Sequence, residues 1–244
     1  FGVNIAQAFV RDPNIAQFVI DQGVKFVTTS AGSPTRYTPE LKAAGITVFH
    51  VIPTMRAAQK AVDAGVDGLI VEGGEGGGFK NPNDVASMVL LPLVRSKVDV
   101  PIIAAGGFTD GKSMAAAFAL GAEGVQMGTR MVAALESPVH ENWKNTIVAS
   151  LETDTVFLNR FHSPALRALR TERTSRLEKM VEENIMPEFG IATDLYFGGD
   201  MESAIALSGQ VAGRIDKVMP VAEILQETER EFFETLKELS ARYL

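Results

Sequence analysis

Residues 64–78 read Ala64-Gly-Val-Asp-Gly-Leu-Ile-Val-Glu-Gly-Gly-Glu-Gly-Gly-Gly78. The stretch opens on a glycine of the kind that stops a helix, crosses a short apolar run and ends in a glycine-rich loop. An apolar run this short, without polar alternation, predicts a strand buried on both faces. Glycines directly after such a strand let backbone N–H groups approach an anion with no Cβ in the way.

The same unit recurs on both sides. Upstream, strands are predicted at Gly2–Ile5, Lys25–Thr29 and Thr47–Val51, separated by helices at Pro13–Gln22, Pro39–Ala44 and Met55–Ala64. Downstream, helices at Asp84–Ser96 and Gly111–Leu120 alternate with strands at Pro101–Ala105 and Gly124–Met127. Gly45, Gly65 and Gly121 each stand just past a predicted helix, where the left-handed conformation is needed. Six short strands alternating with helices predict a parallel sheet, and the expected fold is a TIM-type (β/α)8 barrel. An open Rossmann-like sheet fits less well, because no first-strand Gly-x-Gly-x-x-Gly fingerprint is present.

Composition narrows the function. The chain has 244 residues, a net charge of −7, no cysteine and three histidines, His50, His140 and His162. That balance argues against a nucleic-acid or anionic-membrane binder, and the lack of thiols removes disulfides, thiolate metal sites and cysteine nucleophiles. No metal site is expected from so few ligands. No run approaches the roughly 20 apolar residues of a membrane span, and no leader is read, so a cytoplasmic protein is expected.

Glycine-rich segments follow three of the strands: Glu72–Gly78, Ala104–Gly107 and Gln126–Thr129. In a parallel barrel these carboxyl ends carry the active site, and the loops after strands seven and eight commonly cradle a phosphate. If the last two glycine segments are those loops, the six strands are three through eight. The first two βα units would then lie outside this chain, and the strand-like start at Phe1 agrees. A phosphate-anchored ligand follows, with flavin mononucleotide, a phosphosugar or pyridoxal phosphate as options. Pyridoxal phosphate would want a lysine at a strand end, and Lys80 lies only on the loop beyond.

The remaining third reads as a mostly helical cap. Helical spacing is seen at 137–151, 200–212 and, over a long amphipathic stretch, 221–243. The expected division is a barrel over 1–150, a cap over 151–212 and a C-terminal helix over 213–244. Arg167, Arg170, Arg173 and Arg176 recur every three residues, as on a solvated helix face or a docking strip for an anion.

Four segments together resemble the nitronate monooxygenase family, also called 2-nitropropane dioxygenases, which includes the FMN-dependent enoyl-acyl-carrier-protein reductases. They are Phe1–Asn4, Ala64–Gly78, Val100–Gly107 and Leu120–Arg130; Ser208–Ile215 resembles a late family motif. The resemblance implies FMN as cofactor. It places Asn4, Glu72, Gly77 and Gly78 near the flavin, and Gly106, Gly107, Gln126, Met127, Gly128 and Thr129 at its phosphate. It places Phe79, Ser208 and Gln210 on the substrate side.

One departure matters. The family's usual catalytic histidine is here Phe79, which cannot move a proton. Lys80, Glu75 and His162 are the replacement bases to consider. His50, on a strand, is read as a satisfied core histidine and His140 as structural. The resemblance makes oxidation of alkyl nitronates with oxygen the leading expectation, and an ionised nitronate needs no base, although the lost histidine strengthens the alternatives. The alternatives are an FMN-dependent acyl-thioester reductase or dehydrogenase, whose coenzyme A phosphates the arginines would suit, and a non-catalytic flavin-binding subunit. A small-molecule substrate is the expected partner, and a homodimer is an open option.

Overall fold

A computed structural model describes residues 1–244. Nine strands form: β1 Val3–Ala6, β2 Phe26–Ser30, β3 Thr47–Ile52, β4 Gly68–Glu72, β5 Gly78–Lys80, β6 Ile102–Ala105, β7 Gly124–Gln126, β8 Thr155–Leu158 and β9 Ala165–Leu169. The helices of the first half are α1 Ile15–Asp21, α2 Thr38–Ala43, α3 Met55–Asp63, α4 Ser87–Arg95 and α5 Gly111–Ala119. Those of the second half are α6 Thr129–Val132, α7 Glu141–Ala149, α8 Glu172–Leu177, α9 Ala192–Tyr196 and α10 Val221–Tyr243. None is both long and apolar enough to cross a membrane.

The six expected strands pair in parallel in the order β1-β2-β3-β4-β6-β7, a curled sheet whose outer strands β1 and β7 each pair on one side only. Gly45, Gly65 and Gly121 hold φ of +74°, +82° and +98°, as their place after helix ends requires. The main core lies between the sheet and its helices: 24 buried residues, among them Val27, Val48, Leu69 and Ile102. The concave face has only Phe49, Ile70 and Ala105 as its buried cluster, which leaves its carboxyl end free for a site.

The cap differs from its expected form. Residues 155–169 form two strands, β8 and β9, which pair antiparallel with each other and with β5 into a second sheet of order β5-β9-β8. The cap therefore contains a sheet, although none of its strands joins the parallel one. The arginine periodicity is not a helix face: Arg167 is buried in β9, whereas Arg173 and Arg176 belong to α8. The helix expected at 200–212 does not form, apart from a 3-10 turn at Gln210–Arg214. Its backbone is used elsewhere, with Ile205 N–H donating to Phe189 O and Ala206 O accepting from Leu169 N–H. α10 packs along α5, with Phe232 against Phe118.

Candidate cofactor site

Register sets the floor of the site. Glu72 pairs with Ala105, and Ala105 with Gln126, so the last residues of β4, β6 and β7 stand side by side. Alternation turns all three side chains to the concave face. Beyond them three backbone segments meet at distances that exclude side chains. A Cβ on Gly106 would lie 2.8 Å from Gly73 O, and one on Gly77 would lie 2.5 Å from the Ser208 carbonyl carbon. Gly106 and Gly107 also hold φ of +77° and +89°.

These segments surround a cavity of about 160 Å³ walled by Glu72, Gly77, Gly107, Phe108, Gly128 and Thr129, among others. The N–H groups of Gly107, Phe108 and Gly128 donate to no group within the chain. Three unspent amide donors around one cavity form a cradle for an oxyanion. Gly128 gives an independent test of that fit. Its φ is −92°, open to any residue, and a Cβ there would meet nothing within 4 Å. Nothing in the protein's own packing requires glycine at 128, which lies exposed at the cavity's rim. The cradle rests on the amides themselves, because α6 has only four residues and a correspondingly small dipole. Thr129 is buried, and its Oγ1 accepts from Gly209 N–H at 2.8 Å. Its own O–H is left for the cavity it lines.

The other expected residues divide. Glu72, Gly77, Gly78, Gly106, Gly107, Gln126, Gly128 and Thr129 all line this cavity. Met127 is half-buried and off its wall, and Asn4 lines a separate groove beside β1, where its Oδ1 accepts from Thr28 Oγ1. Ser208 is buried beneath Trp143, whose Nε1–H donates to its Oγ at 3.2 Å, and the next residue, Gly209, meets the cavity instead. Gln210 is exposed, with its N–H bonded to Glu75 O.

None of the replacement bases is presented to the cavity as a free base. Lys80, 6% exposed, places Nζ 2.5 Å from Glu72 Oε1. That contact is an ion pair with poor hydrogen-bond alignment. Glu75 accepts from Ser87 N–H and Ser87 Oγ–H through its carboxylate, at 3.0 and 3.1 Å. His162 Nε2 lies 2.9 Å from Glu182 O, on the loop between β8 and β9. Phe79 pairs with Leu166 across β5 and β9, and its ring packs against Phe9 and Phe189. His50 is a core histidine: Nδ1 lies 2.6 Å from Thr29 Oγ1, and burial, aided by Lys60, lowers its pKa to about 4. His140 caps α7 through Nδ1, which accepts from Asn142 N–H.

Two contributors escaped the sequence reading, the Phe108 amide and Ser87. Phe108 was legible as the residue extending the Gly106-Gly107 rim. Ser87 carried no signal, because its role depends on a carboxylate twelve residues away folding back to meet it.

A curled parallel sheet flanked by helices, with unspent amides at its carboxyl edge, defines an α/β protein of the barrel type. Residues 2–230 match the nitronate monooxygenase family, and the chain belongs to it. FabK from Thermotoga maritima is similar at 40% identity and a TM-score of 0.92, over 99% of this chain and 78% of that one. A nitroalkane oxidase from Streptomyces ansochromogenes is similar at 25% identity and a TM-score of 0.80, over 92% of this chain and 68% of that one. A 5-hydroxy-7a-methyl-1-oxo-octahydro-1H-indene-4-carboxyl-CoA dehydrogenase from Rhodococcus jostii is 38% identical over 73% of this chain and 50% of its own length. The chain thus spans about half the length of that curated relative.

Proposed function

We propose that this chain carries the FMN site of an oxidoreductase that oxidises an already ionised, carbanion-like substrate of the alkyl nitronate type, with oxygen as acceptor. The observation that carries the reading is the set of free N–H groups on Gly107, Phe108 and Gly128 around one cavity. These amides would hold the phosphate of FMN, with the Thr129 hydroxyl as a further donor and Glu72 and Gly77 along the inner wall. A cavity of about 160 Å³ takes the phosphate end only. Bound FMN supplies a two-electron acceptor. The chain's own residues anchor and orient. Lys80, Glu75 and His162 each hold a partner and none lines the cavity; the one carboxylate on its wall, Glu72, is paired with Lys80, and a substrate that arrives ionised needs no base.

A second reading, oxidation or reduction beside an acyl thioester, draws support from the names of the dehydrogenase and FabK relatives. Three of the arginines no longer support it, while Arg176 stays exposed with no partner in the chain. Arg167 is buried, Arg170 pairs with Glu178 at 2.6 Å, and Arg173 bonds the Glu188 and Glu202 carbonyls, so these three form no free strip for coenzyme A phosphates.

The test is a visible spectrum of the full-length protein, mass analysis of any released cofactor, and turnover of an ionised nitronate beside an enoyl thioester. Flavin with nitronate turnover is expected. Turnover of the thioester alone overturns the substrate assignment. Flavin with neither activity leaves a flavin-binding subunit, and a protein that takes no FMN overturns the whole reading.

A further inference from the structure

Alternation in the cap sheet separates two sets of side chains. Phe79, Leu166, Ala168, Val156 and Leu158 pack in the cap's own apolar core. Lys80 and Arg167 leave the opposite face, and both are buried, at 6% and 7% exposure. Buried cations are costly unless they are paired or hydrogen-bonded, so each contact they make carries weight. Lys80 Nζ lies 2.5 Å from Glu72 Oε1, at the point where β4 gives way to the glycine loop. Arg167 Nε–H donates to Gly74 O at 2.6 Å, two residues into that loop. The guanidinium is set by Thr155 Oγ1 at 3.4 Å, Asp84 Oδ2 at 3.7 Å and the Phe157 ring 5.1 Å away. Burial lowers the Arg167 pKa, while Asp84 and Glu75 oppose that shift.

We infer that Lys80 and Arg167 are positioning residues: a two-cation clamp through which the cap sheet fixes the loop 73–78 as the inner wall of the cofactor cavity. The assignment rests on the FMN reading above and gives Lys80 a role other than that of a base. Five of the six loop residues are glycine, so the loop has little conformational preference of its own and its shape must come from outside contacts. Glu72 supplies one anchor and the Gly74 carbonyl the other, and between them they set where Gly76, Gly77 and Gly78 meet the cavity. Cofactor affinity then depends on the cap being seated, although neither cation lines the cavity.

The experiment uses the full-length protein and its Arg167→Met, Arg167→Lys and Lys80→Met variants. It measures FMN dissociation by fluorescence, amide hydrogen exchange over residues 73–80, and melting of the FMN-free protein. A bond to a charged donor predicts about 10–100-fold weaker FMN binding in Arg167→Met. Faster exchange that is largest in the loop, a fall in FMN-free melting smaller than the loss of affinity, and partial rescue by Arg167→Lys are expected with it. Lys80→Met should act in the same direction. Unchanged affinity and unchanged loop exchange in these variants overturn the clamp, as does a loss of affinity matched by a general fall in melting temperature. If Arg167→Met fails to fold, Arg167→Lys and Lys80→Met decide the question by the same measurements. If the unsubstituted protein binds no FMN, the cofactor reading fails, and loop exchange still decides the clamp.

Discussion

The parallel sheet and the cap sheet are built from equally short strands, yet they are different objects. β2, β3, β4 and β6 bury one face against their own sequence neighbours, the helices that precede and follow them, and turn the other to the concave side of the sheet. β9 buries all five of its residues, Arg167 included, against its hairpin partner β8 and against segments far away in the chain: β5, the glycine loop and the stretch around Ala206. The comparison teaches that apolar continuity marks a strand whose partners are local. A strand that must also hold a distant loop carries a polar residue in its middle and hides from the same reading.

The largest expected effect sharpens the division between fold and site. Gly128→Asp adds a side chain where nothing stands within 4 Å, so the fold should persist while FMN retention drops by at least about 100-fold. Flavin content measured after gel filtration checks this, and normal content removes the cradle. Next, Leu69→Ala in the parallel-sheet core and Leu166→Ala in the cap, both fully buried, should each cost about 2–5 kcal/mol. Only Leu69→Ala should lower the main denaturant transition throughout. Leu166→Ala should free the cap first, seen as faster exchange in β8 and β9, and identical behaviour would break the proposed distinction.

His50 probes the parallel layer by pH. Its folded pKa, about 4, lies below the unfolded value of 6.5, so the unfolded chain binds more protons between the two. Stability should be full above pH 6.5 and fall by up to about 3 kcal/mol towards pH 4. His50→Gln should flatten that part of the curve in urea titrations at several pH values. The smallest effect is Trp143→Phe, which removes the bond to Ser208 and should cost about 1 kcal/mol. A slight fall in FMN affinity should accompany it through Gly209, and a large one would mean Ser208 faces the ligand after all.

The sequence by itself determined the six parallel strands, their order of appearance, the glycine helix stops and eight residues of the cavity wall. The strands and helix stops follow from local pattern, short apolar runs and glycines where the backbone turns, and the cavity residues follow from the family resemblance those segments carry. Only the tertiary structure decided that 155–169 is a sheet, that 200–209 is a turn followed by non-helical chain, that Lys80 and Glu75 are anchored rather than free, and that Ser208 lies under Trp143. Each of those outcomes depends on a partner at least eight residues away, and nothing in a linear spacing says which distant carboxylate, carbonyl or ring a side chain will meet.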